Sequence, residues 1–266
     1  MMFITPIIKF LVDVFASIIK KNKDVLKYLF TISLKDEVCY FYENEYLINY
    51  EHIHKSIRLV KQFLKNNFSI IDVGGADGIT PIIFSKSFPS NKIWIFEPIK
   101  ENCLKIDNLK KQFPNFSLIP KAAGNYVGKS VINIAESLAS SSIFELNIDN
   151  SSKVFSNALN KKSTEEIEIT KLDISIPENE IIGILKIDVQ GYELEVLKGA
   201  VNTLIRTSVI VLEMNNHDGY KDSPKYFELD KFLRDQNFTL YDIFPSLKDD
   251  GRLKEWDSLY VNNMHL

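Results

Sequence analysis

The sequence is poor in cysteine, with only Cys39 and Cys103 among 266 residues. The two lie far apart in the chain and outside any spacing typical of metal ligands, so the sequence indicates neither a disulfide framework nor a zinc site. Few cysteines without a pairing pattern are typical of proteins from a reducing compartment. We therefore expect a cytoplasmic protein.

The chain also lacks an excess of positive charge. It carries 32 lysine and arginine residues against 35 aspartate and glutamate residues, which gives a formal net charge of -3. A dedicated nucleic-acid-binding domain presents a basic face to the phosphate backbone. We therefore do not expect DNA or RNA as the substrate.

A long uninterrupted apolar run is absent as well. Residues 3–19 are strongly apolar, but Lys9 and Asp13 interrupt them, and the stretch is too short for a membrane-spanning helix. No small-residue cleavage site follows, so we expect neither a signal peptide nor a transmembrane span. The apolar positions recur at helical spacing and predict an amphipathic helix. Its apolar face has three open uses: packing against the protein, a homodimer contact, or a membrane-surface contact.

With 45% hydrophobic and 25% charged residues, the chain is long enough to bury a sizeable core. Near alternation of aromatic and polar side chains over residues 35–50 predicts a hairpin that turns at residues 43–45, and residues 51–66 favour a helix. The sequence thus predicts an N-terminal helical and hairpin appendage, residues 1–65, before a main domain of residues 66–266.

Strand and helix patterns alternate from residue 70 onward, which indicates a parallel sheet with right-handed crossovers. Strands are predicted near 70–73, 92–96, 116–119, 181–187, 208–213, 238–244 and 258–262, and helices near 81–88, 101–112, 193–204 and 224–236. The rhythm breaks between 126 and 171, where a serine-rich stretch precedes an extended segment at 163–171. An insertion of this length is often a lid or specificity element. The polar residues 245–257 are predicted to connect the last two strands.

The most informative segment is 70–80, a buried strand that runs into a loop with almost no side chains. Small residues in this loop let backbone N–H groups approach a ligand closely. Glu97 ends the next strand about twenty residues later, the distance at which an acidic residue meets a ribose in nucleotide-binding folds. Asp188 ends a further buried strand. Together they predict a nucleotide crevice outside the carboxyl ends of the strands.

Four segments together resemble the FkbM-type family of S-adenosylmethionine-dependent methyltransferases: the Asp72 loop, residues 96–98, residues 121–124 and residues 185–193. The resemblance covers roughly residues 66–262. It implies an α/β fold with a Rossmann-like sheet of seven strands, mostly parallel with an antiparallel last strand, and helices on both faces. One departure is visible: this chain has Gln190 where the family usually has the first glutamate of Asp-Val-Glu-Gly-x-Glu.

The resemblance implies S-adenosylmethionine as the cofactor and a set of residues around it. Small loop residues would surround the methionine part, Glu97 would accept from the ribose hydroxyls, and Ala122 would pass beside the adenine. The predicted cofactor-binding residues are Asp72, Gly74, Ala76, Asp77, Gly78, Glu97, Ala122 and Asp188.

The candidate catalytic residues are Asp188, Glu213 and His217. Methyl transfer to an alcohol is helped by a base within hydrogen-bond reach, and Asp188 is the first choice because it ends a strand beside the expected methyl position. A structural alternative is that Asp188 only caps the following helix, and that His217 is a solvated loop residue. The three side chains could also hold a divalent ion, but nothing in their spacing requires it, and we expect no metal.

The leading hypothesis is a methyltransferase that methylates a hydroxyl of a sugar, a glycan or another small polar metabolite, as the resemblance implies. One alternative keeps the fold as a catalytically inactive binding or interaction module, which Gln190 favours. Another makes the crevice a nicotinamide site. Asp77 opposes it, since the dinucleotide fingerprint needs a permissive residue there, and no tyrosine–lysine catalytic spacing is present.

Overall fold

The computed structural model describes residues 32–34, 38–43, 46–65, 67–147, 160–216, 219–249 and 251–266. The chain divides into two compact units, residues 1–54 and residues 55–266. The amphipathic helix predicted for the first twenty residues lies outside the described residues, so its homodimer and membrane-surface uses stay predictions. The boundary after residue 65 also stays a prediction.

The first unit contains a small antiparallel sheet. Its strands are β1 (Ile32–Leu34), β2 (Val38–Glu43) and β3 (Tyr46–Asn49), and Glu43 pairs with Tyr46 at the closed end of the second pair. This pairing confirms the hairpin predicted over residues 35–50. Helix α1 follows from Glu51 to Phe63, within the segment predicted as helical.

The second unit carries the remaining strands and helices. The strands are, in chain order, β4 (Ser69–Val73), β5 (Ile93–Phe96), β6 (Phe116–Ile119), β7 (Ala122–Ala123), β8 (Gly128–Ala135), β9 (Lys161–Thr170), β10 (Ile182–Ile187), β11 (Thr207–Asn215), β12 (Phe238–Asp249) and β13 (Arg252–Asn262). The helices are α2 (Ile79–Ser87), α3 (Lys100–Leu109), α4 (Leu172–Ser175), α5 (Glu193–Lys198), α6 (Val201–Ile205) and α7 (Tyr226–Asp235).

Seven strands form the central sheet in the order β12-β13-β11-β10-β4-β5-β6. Strands β11, β10, β4, β5 and β6 are parallel to one another, whereas β13 runs antiparallel to both β11 and β12. Strands β4 and β10 are buried along their whole length, which explains their continuous apolar sequences. The predicted α/β fold, with a mostly parallel seven-stranded sheet and an antiparallel last strand, is confirmed.

A second sheet, of order β7-β9-β8, occupies the region where the predicted alternation breaks. The extended segment predicted at 163–171 is strand β9, but strand β8 was not predicted. The first half of β8 alternates between exposed and half-buried residues, and only its second half is buried. A strand with so polar a beginning gives little hydrophobic signal. The serine-rich stretch forms a short 3₁₀ helix, Leu138–Ser140.

The hairpin of β12 and β13 is longer than predicted. The polar connector predicted over residues 245–257 is wrong, because Pro245 pairs with Trp256 and the ladder continues to Asp249 and Arg252. The missing N–H of Pro245 is tolerated because β12 is an edge strand of the sheet. Gly251 closes the turn with a φ of 73°, a conformation that glycine adopts without steric cost.

The helix predicted over residues 193–204 is two helices, α5 and α6, separated at Gly199 and Ala200. Gly199 lies against another segment of backbone: a Cβ atom there would stand 1.9 Å from the carbonyl oxygen of Gly124. Only glycine allows this approach, so the contact between the two segments requires glycine at the position where the helix breaks.

We expect Gly199→Ala to lower the free energy of unfolding by about 2 kcal/mol or more, because the new methyl group forces two backbone segments apart. Gly128→Ala is the matched control, since its Cβ would meet only the ring of half-exposed Tyr126, at 3.1 Å. We expect that variant to stay within about 0.5 kcal/mol of the wild type. Urea unfolding followed by circular dichroism measures both, and equal effects would contradict the contact.

Candidate functional site

The strand order of the central sheet reverses between β4 and β10. From β4 the chain builds outward through β5 and β6, and from β10 it builds in the other direction to β11. Such a reversal leaves a crevice beyond the carboxyl ends of the two strands, where ligands of open α/β sheets bind. The register pairs Asp72 with Lys186, and the N–H of Asp188 donates to the carbonyl of Val73 at 3.0 Å. Both strand ends therefore open into the same space.

A crevice of about 640 Å³, including its open mouth, lies at this position. Five of the predicted cofactor-binding residues line it: Gly74, Ala76, Glu97, Ala122 and Asp188. The structure thus brings together residues from the ends of four different strands.

The other three predicted cofactor-binding residues lie behind the crevice wall. Asp72 is fully buried in β4. Asp77 accepts a hydrogen bond from the N–H of Ile79 at 3.1 Å, at the start of α2. A Cβ at Gly78 would meet the Leu109 side chain at 2.6 Å, so that position faces α3. These residues shape the loop, whereas Gly74 and Ala76 border the crevice.

Gly74 is required by the contact between the two strand-end loops. Its φ is 87°, and a Cβ there would stand 1.9 Å from the carbonyl oxygen of Asp188. The N–H groups of Gly74 and Gly75 both donate to the carbonyl of Phe96. The glycine therefore fixes the loop against its neighbours on both sides, which holds the crevice wall in one shape.

Glu97 is a buried acceptor at the end of β5, with 3% of its surface exposed. One carboxylate oxygen accepts from the N–H of Ala76 and the other from the N–H of Ile99, each at 2.8 Å. Burial raises its pKa to about 7, although hydrogen bonds from Ile99, Ala76 and Asn102 oppose the shift. Three donors therefore occupy three of its roughly four lone-pair sites, so this carboxylate can accept one more hydroxyl group.

Lys186 connects two carboxylates across the strand ends. Its ammonium lies 3.4 Å from Asp72 Oδ1 and 3.2 Å from Asp188 Oδ2, and only 7% of its side chain is exposed. Burial works against the charge of Lys186, but Asp188 and Asp72 together raise its pKa. At Asp72, burial raises the pKa more than the charge of Lys186 lowers it, and the pKa of Asp72 is about 6. All three groups are therefore charged near neutral pH.

Gln190 joins the end of β10 to three other segments. Its side-chain nitrogen donates to Asp188 Oδ1 at 2.9 Å and to Glu213 Oε2 at 2.7 Å. Its side-chain oxygen accepts from the Tyr220 hydroxyl, and its backbone carbonyl accepts from Ser142 Oγ at 2.7 Å. Gln190 also has a left-handed backbone, with a φ of 56°. Its amide therefore lies between two of the predicted catalytic carboxylates.

The two carboxyl groups that Gln190 bridges have opposite pKa shifts. Burial alone would raise the pKa of Asp188, but Lys186 and the hydrogen bonds from Gln190 and Glu213 lower it. Burial and the charge of Asp188 raise the pKa of Glu213 well above its ordinary value. Asp188 is thus the more acidic member of the pair, and Glu213 is the member that holds a proton more readily. His217, the third predicted catalytic residue, lies outside the described residues.

Part of the crevice wall comes from residues that the sequence did not single out individually. Leu138, Ser141 and Ile143 line it from the segment around the 3₁₀ helix, and Asn102 and Tyr192 complete it elsewhere. The available signal was the break in the strand–helix rhythm, which predicted an insertion near the site without naming its contacts.

A family model described as the methyltransferase FkbM domain matches residues 72–240, more than half of the chain. The chain belongs to the FkbM methyltransferase family. The match begins at Asp72 and includes Glu97, Asp188, Gln190 and Glu213. Among curated proteins, no sequence matches this FkbM methyltransferase.

Several solved methyltransferase structures are similar to the chain at low identity. A precorrin-6y C5,15-methyltransferase from Geobacter metallireducens GS-15 shares 12% identity over 79% of this chain and 88% of that one, with a TM-score of 0.40. A magnesium protoporphyrin IX methyltransferase from Synechocystis PCC 6803 shares 10% identity over 79% of this chain and 78% of that one, with a TM-score of 0.44. An rRNA methylase from Streptococcus thermophilus shares 12% identity over 79% of this chain and 95% of that one, with a TM-score of 0.44. With TM-scores below 0.5, these likenesses support no conclusion about function.

The cofactor of this FkbM methyltransferase is S-adenosylmethionine, as predicted. The crevice fits it, since Glu97 offers an acceptor for a ribose hydroxyl, and apolar residues such as Phe96, Ala122 and Ile132 form walls suited to an adenine. When bound, S-adenosylmethionine supplies a methyl group activated by a sulfonium. Asp188, one of the two carboxyl groups that Gln190 bridges, lines the same crevice.

Within the part of the chain that the structure describes, no group of three or more His, Cys, Asp and Glu side chains could hold a metal ion. The absence of a metal stays a prediction, because His217 is not among those residues. No helix within the described ranges is long and apolar enough to cross a membrane.

Glu193 supports the loop that carries Asp188 and Gln190. It is 1% exposed, and its Oε1 accepts from the N–H groups of Val189 and Gly191 at 3.1 and 3.0 Å. Its Oε2 is buried without a hydrogen-bond partner. Burial therefore raises the pKa of Glu193 to about 7, against the pull of the backbone hydrogen bonds.

This shift predicts a pH dependence of stability. The folded protein keeps the Glu193 proton up to about pH 7, whereas the unfolded chain loses it near pH 4.5. The contribution of Glu193 to the free energy of unfolding is therefore lost as the pH rises through 7. We expect Glu193→Gln to flatten the decline in the free energy of unfolding between pH 5.5 and 8.5 by about 1–2 kcal/mol. The amide oxygen still accepts from both N–H groups. Urea titrations at four pH values measure the slope.

The matched control is Glu166→Gln on the protein surface. The hydrogen bond from Lys129 lowers the pKa of Glu166, so its titration lies below the measured window, and we expect an unchanged slope. A Glu193→Gln slope equal to that of the wild type would show that Glu193 is ionised across the window.

The bridge formed by Gln190 predicts a second stability effect. Gln190→Met keeps the length of the side chain but removes both donors, which leaves Asp188 and Glu213 facing each other without an intervening N–H. We expect a loss of about 1–2 kcal/mol in the free energy of unfolding. Gln112→Met, at an exposed position, should change it by less than about 0.5 kcal/mol. Indistinguishable urea midpoints for the two variants would contradict the bridge.

Proposed function

We propose that the protein transfers the methyl group of S-adenosylmethionine to a hydroxyl oxygen of a sugar, a glycan or another small polar metabolite. The observation that carries this proposal is the ionised carboxylate of Asp188, which lines the cofactor crevice while Lys186 and Gln190 hold its pKa low. A hydroxyl must lose a proton as its oxygen is methylated, and a positioned base assists that loss.

Asp188 is the proposed base. One oxygen of its carboxylate accepts a hydrogen bond from the Lys186 ammonium, and the other accepts one from the Gln190 amide. These contacts fix the orientation of the carboxylate, while a third of the side chain stays exposed. An acceptor hydroxyl that donates to this exposed part would give its proton to Asp188 as the new oxygen–carbon bond forms. Positioning the two reactants supplies much of the remaining acceleration.

Glu213 has a different proposed role from the one first expected. Its raised pKa makes it the more readily protonated of the two carboxyl groups, and it is not among the residues that line the crevice. We assign to it the stabilisation of the Asp188 charge through the shared bridge. His217 remains a candidate base only as a prediction.

The alternative function is a catalytically inactive module that retains the fold. Its support was Gln190, in place of the glutamate usual in the family. The amide of Gln190, however, donates hydrogen bonds to the carboxyl groups of Asp188 and Glu213, so the glutamine has a structural role at that position. We therefore favour an active enzyme. We also propose a cytoplasmic location, from the cysteine content, and an acceptor that is not a nucleic acid, from the net charge of -3.

The test is methyl transfer from S-adenosylmethionine labelled in its methyl group to a mixture of methyl glycosides, oligosaccharides and polyols. We expect labelled product that survives mild alkali, because a methyl ether resists hydrolysis and a methyl ester does not. Asp188→Asn should reduce the rate by about 10²-fold or more, the usual contribution of a general base.

Calorimetric titration with S-adenosylhomocysteine is the control for both proteins. Equal binding of this product by wild type and variant would show that the lost rate reflects chemistry. Undiminished transfer by Asp188→Asn would remove the proposed role of Asp188. Failure of the wild type to bind S-adenosylhomocysteine would favour the binding module.

A further inference from the structure

The crevice has charge of only one sign. Among the described residues that line it, the charged side chains are Glu97 and Asp188, and both are acidic. The remaining lining residues are apolar, small or uncharged polar. The described wall therefore offers no lysine or arginine to receive a phosphate or a carboxylate.

The nearest cation, Lys186, is already committed to two carboxylates. It lies within 3.4 Å of Asp72 and 3.2 Å of Asp188, and its side chain is only 7% exposed. Turning toward an anionic ligand would strand Asp72, which is fully buried. A buried charge that loses its partner is strongly unfavourable, so Lys186 cannot serve as an anion site.

The net charge of the groups around the crevice stays negative when the weaker acids are protonated. With Glu97 and Glu213 both protonated, Asp72 and Asp188 still outnumber Lys186 by two to one. Asp257 pairs with Glu213 across the sheet, but burial and the charge of Asp188 raise the pKa of Asp257 to about 8, so the count does not include it.

We infer that the reacting end of the crevice selects against anions, and that the acceptor is an uncharged hydroxyl compound with no phosphate or carboxylate beside the reacting hydroxyl. This inference rests on the proposed function and narrows its substrate class. Neutral glycosides and polyols fit it, whereas sugar phosphates, nucleotide sugars and uronic acids meet like charge with no compensating cation.

A pair of ligands tests the sign of the potential where the methyl group is transferred. S-adenosylhomocysteine is uncharged at that position, whereas sinefungin carries an ammonium there. We expect calorimetry to show that sinefungin binds the wild-type protein about tenfold more tightly, and that Asp188→Asn reduces this ratio to about threefold or less. Glu195→Gln is the matched control, because it removes one negative charge outside the crevice wall and should leave the ratio unchanged.

Each outcome bears on a different statement. No binding of S-adenosylhomocysteine contradicts the proposed function itself. Binding of S-adenosylhomocysteine with equal or weaker binding of sinefungin overturns the charge selection alone. A ratio that survives in Asp188→Asn removes Asp188 as its source. Labelled methyl transfer to a nucleotide sugar in preference to the matching neutral glycoside would overturn the inference whatever the binding ratio.

Discussion

The site depends on a buried ammonium held between two carboxylates. Parallel pairing of β4 with β10 sets Asp72 beside Lys186, and Asp188 follows two residues later, on the same side of the chain. None of the three charges could be buried alone, since an unpaired charge in the interior is strongly unfavourable. The charge state of the base therefore depends on the register of the two strands. A register shift of one residue would separate Lys186 from Asp72 and remove this pairing.

The loops beyond these strands are held by backbone geometry. Gly74 contacts the carbonyl of Asp188 more closely than any other residue type allows, and the neighbouring Ala76 adopts a φ of 44°. Gln190 and Gly191 are likewise left-handed, with φ values of 56° and 99°. Non-glycine residues in this region are strained and often occur at functional sites. Here the left-handed turn at Gln190 accompanies a side chain that lies between two carboxylates.

The sequence predicted the parts of the site that have a local pattern. Asp72, Glu97 and Asp188 each end a short apolar run, and parallel strands gather their ends at one edge of the sheet, so their meeting followed from periodicity alone. The bridge through Gln190 did not, because its partners Ser142 and Tyr220 are 48 and 30 residues away. Contacts between residues so far apart in the chain produce no local sequence pattern from which they could be predicted. The same holds for the polar start of β8, which only its partner strand β9 reveals.

The charge balance explains how glutamine serves at a position where the family usually has glutamate. Two carboxyl groups already face each other there, and closely placed carboxyl groups cannot all ionise. A glutamine brings two N–H donors and no charge, so it satisfies both groups at once, while the Tyr220 hydroxyl fixes its orientation. Burial and the charge of Asp188 raise the pKa of Glu213, so a proton shared by the pair favours Glu213. Asp188 keeps its charge, and the crevice keeps a single ionised base at its reacting end.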